Sequence, residues 1–367
     1  MSFLTGFFSY AYTVFVEGGG AYQTGDWLIN YHGGFVRRGL FGSLFLSIFG
    51  NFTFSLWLLF IVQSLMYLIV FAFFIIYLYR RNSSWLVTIC ICSPAGIAFS
   101  GWDIYAFGRK EVIGYLVLIL LASRRSLKHI AAVSWLILMS ALLLYTIGVF
   151  SWEPLALFIP IITILIAKEF NETISRNQRN FVCSLFILVS AVGLLSAMSN
   201  KGTKFQVISI CKAVRDAGIN GTALCSGAID AIGWSSGFTI GKVHDSFPLY
   251  FWYFPLFLIA ISPFFYFKLF RHAKSIAFFS FLFLFPLYLV VTDYGRWFSI
   301  FFTTFLIYLI ATNKLYSNSN HILDSPSFGI PYLCTWGLPH WADPNLTFPI
   351  VGAIATPVKL IYRFLLQ

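Results

Sequence analysis

Long apolar runs recur along almost the whole sequence. They lie near residues 54–79, 85–100, 112–123, 130–151, 155–167, 181–198, 248–267, 276–292 and 298–312, and a further run, Phe3–Val16, opens the chain. A helix crosses a hydrocarbon core of about 30 Å with roughly 20 apolar residues, so the shorter runs would use flanking residues. Because lipid offers no hydrogen-bond partners to the backbone, each run predicts a helix. The pattern therefore predicts an all-α polytopic membrane protein with about ten transmembrane helices in a single domain, residues 1–367.

Composition supports a membrane protein. Hydrophobic residues make up 59% of the chain and charged residues only 10%, whereas a soluble domain carries about 25% charged residues. The first run has neither a basic leader nor a small-residue cleavage site, so it predicts an uncleaved span. The net charge of +11 falls mainly between the apolar runs, which favours membrane orientation over nucleic-acid binding.

The charges of alternate connections predict that orientation. One set of connections carries twelve basic residues and only the acids Glu169 and Glu172, while the other carries ten basic residues and nine acids. By the positive-inside rule the first set is cytoplasmic and the second faces outward. Both termini then lie inside, and residues 313–367 form a cytoplasmic tail, with an interfacial position as the alternative.

The first outward loop, residues 17–50, has the richest chemistry. Asp26 and His32 are its candidate proton acceptors, although a structural hydrogen bond is an alternative for His32. Arg37 and Arg38 precede an apolar stretch that ends at Phe49 and is too short to span, which predicts an interfacial helix. Guanidinium groups beside a helix N-terminus suit phosphate oxygens. The alternatives are binding to lipid headgroups and pairing with Asp26.

The shorter outward loops carry more candidates. Arg109 and Lys110 suit anionic oxygens with Glu111 to orient them, or the three form an internal salt bridge. Glu153, beside Trp152, suits a sugar hydroxyl, or it interacts with the N-terminal dipole of the following helix. In the last outward loop, Asp293 and Arg296 are three residues apart, so on a helix they would pair. Arginines at three outward span ends make an anion site more probable than any one alone.

The long outward loop, residues 199–247, is polar and rich in glycine, and it predicts a lid or an acceptor-binding surface over the span ends. It holds Cys211 and Cys225, both in the oxidising compartment under this topology, so a disulfide between them is plausible. The sequence has no phosphate-binding GxxxxGK[ST], no GxGxxG, no HExxH and no paired CxxC. We therefore expect no cofactor and no dedicated metal site, and an ATP-driven pump is disfavoured.

The segments GDWLINYHGGFVRRG, FGRKE, WEP and DYGRW, with about ten spans and one long outward loop, resemble bacterial O-antigen or capsular repeat-unit polymerases of the Wzy type. This resemblance implies polymerisation of lipid-linked repeat units at the periplasmic face of the inner membrane. The glycan would leave undecaprenyl pyrophosphate and join an incoming repeat unit. Implied partners are a polyprenyl-pyrophosphate-linked glycan, membrane lipids and a chain-length regulator protein, without nucleic acid.

Two alternatives remain. The chain also resembles GT-C-type glycosyltransferases that use a polyprenyl-phosphate sugar, which have a first-loop carboxylate followed by an interfacial helix. A flippase or transporter of lipid-linked oligosaccharide is the non-enzyme alternative, but it would need basic residues through mid-bilayer. For glycosyl transfer the candidate bases are Asp26 first, then Glu153, Glu111 and Asp293, with His32 as a further acceptor. The candidate pyrophosphate ligands are Arg37, Arg38, Arg109, Lys110 and Arg296.

Overall fold

Every regular element in the described part of the chain is a helix. The computed structural model describes residues 2–50, 52, 54–80, 85–103, 105–124, 130–200, 202–221, 223–246, 251, 253–266, 273–313, 315, 326–338 and 340. Within these ranges there is no β-strand, and the α-helices are α1 Ser2–Phe15, α2 Leu40–Phe49, α3 Ser55–Arg80, α4 Trp85–Cys92, α5 Phe99–Trp102, α6 Glu111–Ser123, α7 Ala131–Ser151, α8 Ile159–Glu169, α9 Arg176–Ser199, α10 Lys204–Asp216, α11 Ser236–Ser246, α12 Tyr253–Tyr266, α13 Lys274–Val290, α14 Tyr294–Ala311 and α15 Pro326–Cys334.

Four helices, α3, α7, α9 and α14, are long and apolar enough to cross a membrane. This confirms the all-helical class and indicates a membrane protein. The other six predicted spans correspond to shorter helices, so the total of about ten spans stays a prediction. The four candidates differ in environment, because 94% of the apolar window of α14 is buried by protein but only 22% of that of α9. Most of α9 is therefore free to face lipid.

The predicted span 85–100 is not one continuous helix. Helix α4 ends at Cys92, the chain turns through Ser93–Ala98, and α5 begins at Phe99. Pro94 cannot donate a backbone hydrogen bond, which favours a break here. The buried carbonyl of Gly96 accepts hydrogen bonds from the Phe99 amide and from Ser299 Oγ, each at 3.0 Å. Irregular backbone of this kind is tolerated where protein groups satisfy it.

Contacts within the chain define two compact units. Unit I holds the described parts of Tyr10–Tyr67 and Gly108–Ser235, and unit II holds those of Met1–Ser9, Leu68–Phe107 and Ser236–Gln367. In unit II, α14 packs against α12 and α13, while α15 packs against α4. In unit I, α6 packs on α7 and α8, and α9 packs on α7 and α8. Unit I also contains the first outward loop and most of the long one.

The first and long outward loops share a small hydrophobic core. Its buried members are Ile29, Val36, Ile210, Cys211, Ala228, Ile229 and Ile232. The Ala228 amide donates to the Ala21 carbonyl at 3.1 Å, and Gly25 lies so close to Leu224 that a Cβ there would meet its carbonyl oxygen. The part of the long loop that belongs to unit I is thus packed onto the first loop, and it contains α10 in addition to its irregular turns.

Helix α2 forms where the sequence predicts a helix after Arg38, from Leu40 to Phe49. The Phe41 amide donates to Ser151 Oγ at 2.9 Å, and the Tyr31 amide donates to Ser43 Oγ at 2.8 Å. These bonds fix the start of α2 at the end of α7 and hold the preceding turn against it. The interfacial position of α2 stays a prediction.

The structure contains the Cys211–Cys225 disulfide, which the sequence left as a plausible pairing. The closed loop spans 14 residues, a length for which loop closure contributes about 3 kcal/mol. We expect alkylation without reduction to leave both cysteines unmodified. We also expect Cys211→Ser to speed tryptic cleavage at the exposed Lys212 and Arg215 of α10, while Cys183→Ser leaves it unchanged. Alkylation of both thiols in the untreated protein would contradict the bridge.

The predicted orientation has a direct test. Ser235 and Asn177 are both exposed and belong to connections of opposite predicted side. In a background that retains the disulfide but lacks the other four cysteines, a membrane-impermeant maleimide should label Ser235→Cys in intact cells. It should label Asn177→Cys only after permeabilisation, because the basic connections stay inside. Labelling of both positions from one side would overturn the charge-based topology.

Candidate functional site

Five of the ten predicted site residues meet in unit I. They are Asp26, Arg37, Arg38, Lys110 and Glu153, from three loops that the charge pattern places outside. Each makes at least one contact between charged groups of 4.0 Å or less with another member. Three cations thus face two carboxylates, which leaves an excess of positive charge. We call this group the Asp26 cluster.

Asp26 lies at the centre of the Asp26 cluster. The short 3-10 helix Gly25–Leu28 carries it, and its neighbour Trp27 fixes that turn by donating from Nε1 to the Gly108 carbonyl at 2.7 Å. The Asp26 side chain is 3% exposed, and its Oδ1 lies 3.6 Å from Lys110 Nζ. Among the described residues Oδ1 receives no hydrogen bond of normal geometry. A buried carboxylate oxygen without a full partner requires an explanation, and a catalytic role is one of those known for such groups.

Arg38 and Glu153 form the tightest pair. Arg38 Nε and Nη2 donate to the two carboxylate oxygens of Glu153 at 2.7 and 2.9 Å, while Nη1 lies 4.0 Å from Asp26 Oδ1. Arg38 adopts φ +69°, a left-handed conformation that costs energy for a non-glycine residue and often occurs at functional sites. Burial alone would raise the pKa of Glu153, but the charge and hydrogen bonds of Arg38, with Arg37, lower it to about 2. The Glu153 carboxylate is therefore ionised near neutral pH, and its role as a candidate base stays a prediction.

Lys110 holds the Asp26 carboxylate in position. Its Nζ is fully buried and donates to the Ser151 carbonyl at 2.7 Å and to the Arg38 carbonyl at 3.4 Å. Burial lowers the pKa of Lys110 to about 8, although the neighbouring Asp26 charge opposes this shift. Lys110 thus keeps most of its charge near pH 7, where it holds the Asp26 carboxylate in place.

Arg37 is the cation of the cluster with the weakest ion pairing. Its Nη2 donates to the Ala231 carbonyl at 3.0 Å, and Nη1 is 3.9 Å from Glu153 Oε1. Its Nε has no hydrogen-bond partner among the described residues, and 32% of the side chain is exposed. Burial, and then the charge of Arg38, lower the pKa of Arg37 from its ordinary value. An anion bound next to Arg37 would stabilise its charge against both burial and the repulsion from Arg38.

A shallow pocket opens beside this arginine. Arg37, Arg38 and Glu153 line one side, and Phe35, Phe150 and Ala197 contribute an apolar wall. Phe150 lies at the end of α7 and Ala197 near the end of α9, two candidate membrane-spanning helices. This small pocket therefore has both positive charge and apolar surface in its lining, at the ends of two candidate spans.

The remaining candidates of the first and second outward loops are Arg109, Glu111 and His32. The Arg109 guanidinium carbon is 5.2 Å from the centroid of the Tyr22 ring, a cation–π distance. Glu111 is buried in the first turn of α6. His32 is exposed, and its backbone amide donates to Asn30 Oδ1 at 3.0 Å. The catalytic or binding roles of these three residues stay predictions.

Unit II brings Asp293 and Arg296 into a second group with two residues that were not predicted. Arg296 Nη1 lies 3.4 Å from Asp293 Oδ2, the pairing that their three-residue spacing allows. The buried imidazole of His340 lies 3.4 Å from Asp103 Oδ1 through Nδ1 and 3.8 Å from Asp293 Oδ2 through Nε2. No local pattern marked His340, because its partners are far away in the sequence.

The position of His340 differs from the expectation of a cytoplasmic tail. Its partners, Asp103 and Asp293, belong to connections that the charge pattern places outside. The preceding helix α15 packs along α4, and Tyr332 Oη lies 3.3 Å from Ser93 Oγ. Under the predicted orientation, the described part of the tail thus returns to the outward side. Residues 341–367 are outside the described range.

No protein-family model matches this chain, and no curated protein or solved structure matches it significantly. The described residues contain no group of three or more His, Cys, Asp or Glu side chains that could hold a metal ion.

Proposed function

We propose that this chain is a membrane glycosyltransferase that acts on a polyprenyl-pyrophosphate-linked glycan, as a repeat-unit polymerase at the periplasmic face of the inner membrane. One observation supports it above the others: a buried carboxylate, Asp26, lies 3.6 Å from a buried lysine, while Arg37 of the same cluster borders an open pocket. Proton removal and anion binding, the two requirements of sugar transfer from a phosphate, are thus adjacent.

The proposed reaction uses these groups in separate roles. The oxygen of the acceptor hydroxyl forms a bond to the anomeric carbon, and Asp26 accepts the proton that this hydroxyl loses. The bond between that carbon and the pyrophosphate oxygen breaks, and the electron pair leaves with the oxygen. Arg37 binds the departing pyrophosphate, where negative charge grows in the transition state. Lys110 and the Arg38–Glu153 pair hold Asp26 and Arg37 in position.

A GT-C-type transferase that uses a polyprenyl-phosphate sugar is the second candidate. The buried first-loop carboxylate, followed later in the same loop by α2, favours it, because this is the order of elements in that resemblance. Both candidates use Asp26 and Arg37 in the same way, so donor and product distinguish them. Purified protein should be given either a pyrophosphate-linked oligosaccharide alone or a polyprenyl-phosphate sugar with an acceptor. Multimers from the first substrate support the polymerase, and a single added sugar from the second supports the alternative.

Arg37 has a specific expected phenotype. Arg37→Ala should lower the transfer rate several-fold to about a thousandfold, since losing one transition-state donor costs up to about 2.7–4 kcal/mol. Arg37→Lys should recover only part of the rate, because an ammonium group lacks the two-pronged guanidinium geometry. Transfer rate and thermal stability should be measured together, with the exposed Arg176→Ala as the control. A normal rate in Arg37→Ala would remove this residue from the anion site.

A further inference from the structure

Helix α10 has two different faces. Its inner face holds the buried residues Ile210, Cys211 and Val214, which belong to or border the core shared by the two outward loops. The disulfide from Cys211 to Cys225 fixes this face to the rest of the long loop. The rotation of α10 about its own axis is therefore determined, and so is the set of side chains it presents outward.

The outer face combines large apolar side chains with cations. Phe205 is 70% exposed and Ile208 is 64% exposed. Lys204, Lys212 and Arg215 are exposed on the same helix, and only Asp216 opposes them in charge. Exposed apolar side chains flanked by Lys and Arg suit a membrane interface, because long basic side chains can extend from the acyl boundary to the headgroups.

The apolar surface of α9 leads directly to this face. Leu195 and Met198, near the end of α9, are 63% and 72% exposed, and α9 is the candidate span least covered by protein. Helix α9 ends at Ser199 and α10 begins at Lys204. Because this connection is short, α10 must begin close to the end of α9.

Phe35 connects the two helices at this level. It lines the pocket together with Ala197 of α9, and its carbonyl accepts a hydrogen bond from Gln206 Nε2 of α10 at 3.2 Å. Its side chain is itself 44% exposed. Exposed apolar groups therefore continue from α9 through Phe35 to the first turns of α10.

We propose that α10 lies in the lipid headgroup layer at this end of α9, with Phe205 and Ile208 inserted to the acyl boundary. Lys204, Lys212 and Arg215 bind the phosphates of anionic lipids around it. A lipid surface fits better than a protein partner because the exposed apolar surface continues from a candidate membrane-spanning helix and because α10 carries three basic residues and one acid. This role of α10 does not depend on glycosyl transfer.

Fluorescent labelling in nanodiscs tests the proposal. Phe205→Cys and Ile208→Cys are each labelled with bimane in a background that keeps the disulfide and lacks the other four cysteines. The labelled full-length protein is placed in nanodiscs of phosphatidylcholine and phosphatidylglycerol, with or without bromine on the acyl chains. Ser226→Cys, an exposed position of the same loop, is the matched control. We expect brominated lipid to quench the labels at 205 and 208 several-fold and to leave the label at 226 unchanged.

The charges provide a second measurement that does not depend on the substituted apolar residues. With the label at 208, Lys212→Glu together with Arg215→Glu should reduce the quenching in anionic nanodiscs, and a matched Lys242→Glu variant in α11 should not. Equal quenching at 205, 208 and 226, or none at 205 and 208, would overturn the proposal. The fluorescence of both labels could instead change with the number of protein copies per disc and not with bromination. That result would assign this face to contact with a second copy.

Discussion

Asp26→Asn is expected to abolish glycosyl transfer, with a loss of about 10²–10⁴-fold, the usual contribution of a positioned general base. The amide keeps the shape of the carboxylate but cannot accept the proton of the acceptor hydroxyl. Binding of the lipid-linked donor should persist, because Arg37 is unchanged. Rate, donor binding and membrane abundance should be measured together, with Asp216→Asn, an exposed acid of unit I, as the control.

A double variant separates catalysis from ion pairing. Asp26→Asn leaves Lys110 as a buried charge without its carboxylate, which would by itself lower stability. Lys110→Met removes that charge, so the double variant should regain abundance. Its transfer rate should nevertheless stay at least about a hundredfold below that of Lys110→Met alone. Equal rates in the double variant and in Lys110→Met would show that Asp26 is only an ion-pair partner.

Arg38→Ala is expected to act mainly on stability. It leaves the Glu153 carboxylate, 15% exposed, without its two-pronged partner. Breaking a fully buried pair costs about 3–5 kcal/mol, and we expect about 2–3 kcal/mol here because 24% of the Arg38 side chain is exposed. Removing Glu153 as well, in Arg38→Ala with Glu153→Ala, should restore most of the unfolding free energy. A double variant as unstable as Arg38→Ala alone would contradict this account.

The same pair predicts a pH dependence. The pKa of Glu153 is lowered from 4.5 to about 2 in the folded protein, so the folded state binds this proton less readily than the unfolded state. The resulting stability, up to about 3 kcal/mol by linkage, is present above about pH 4.5 and is lost as the pH falls towards 2. The difference in unfolding temperature between the unchanged protein and Glu153→Gln should therefore shrink between pH 5 and pH 3.

The sequence determined the features that depend on local composition. Apolar runs of sufficient length predicted the helical class and the four helices that can cross a membrane, because a backbone in lipid must bond to itself. The stretch after Arg38 predicted α2, and the three-residue spacing of Asp293 and Arg296 predicted their pairing. Each of these properties is carried by residues close together in the chain.

Only the tertiary structure decided which candidates share a site. Arg38 pairs with Glu153, 115 positions away, and nothing near either residue specifies that contact. His340 contacts Asp103 and Asp293, which are likewise distant in the sequence. In the turn at Ser93–Ala98, the Gly96 carbonyl accepts from the nearby Phe99 amide and also from the distant Ser299 hydroxyl. The sequence supplied charged residues at span ends, but the packing of distant loops determined which of those charges neutralise each other and left Arg37 facing an open pocket.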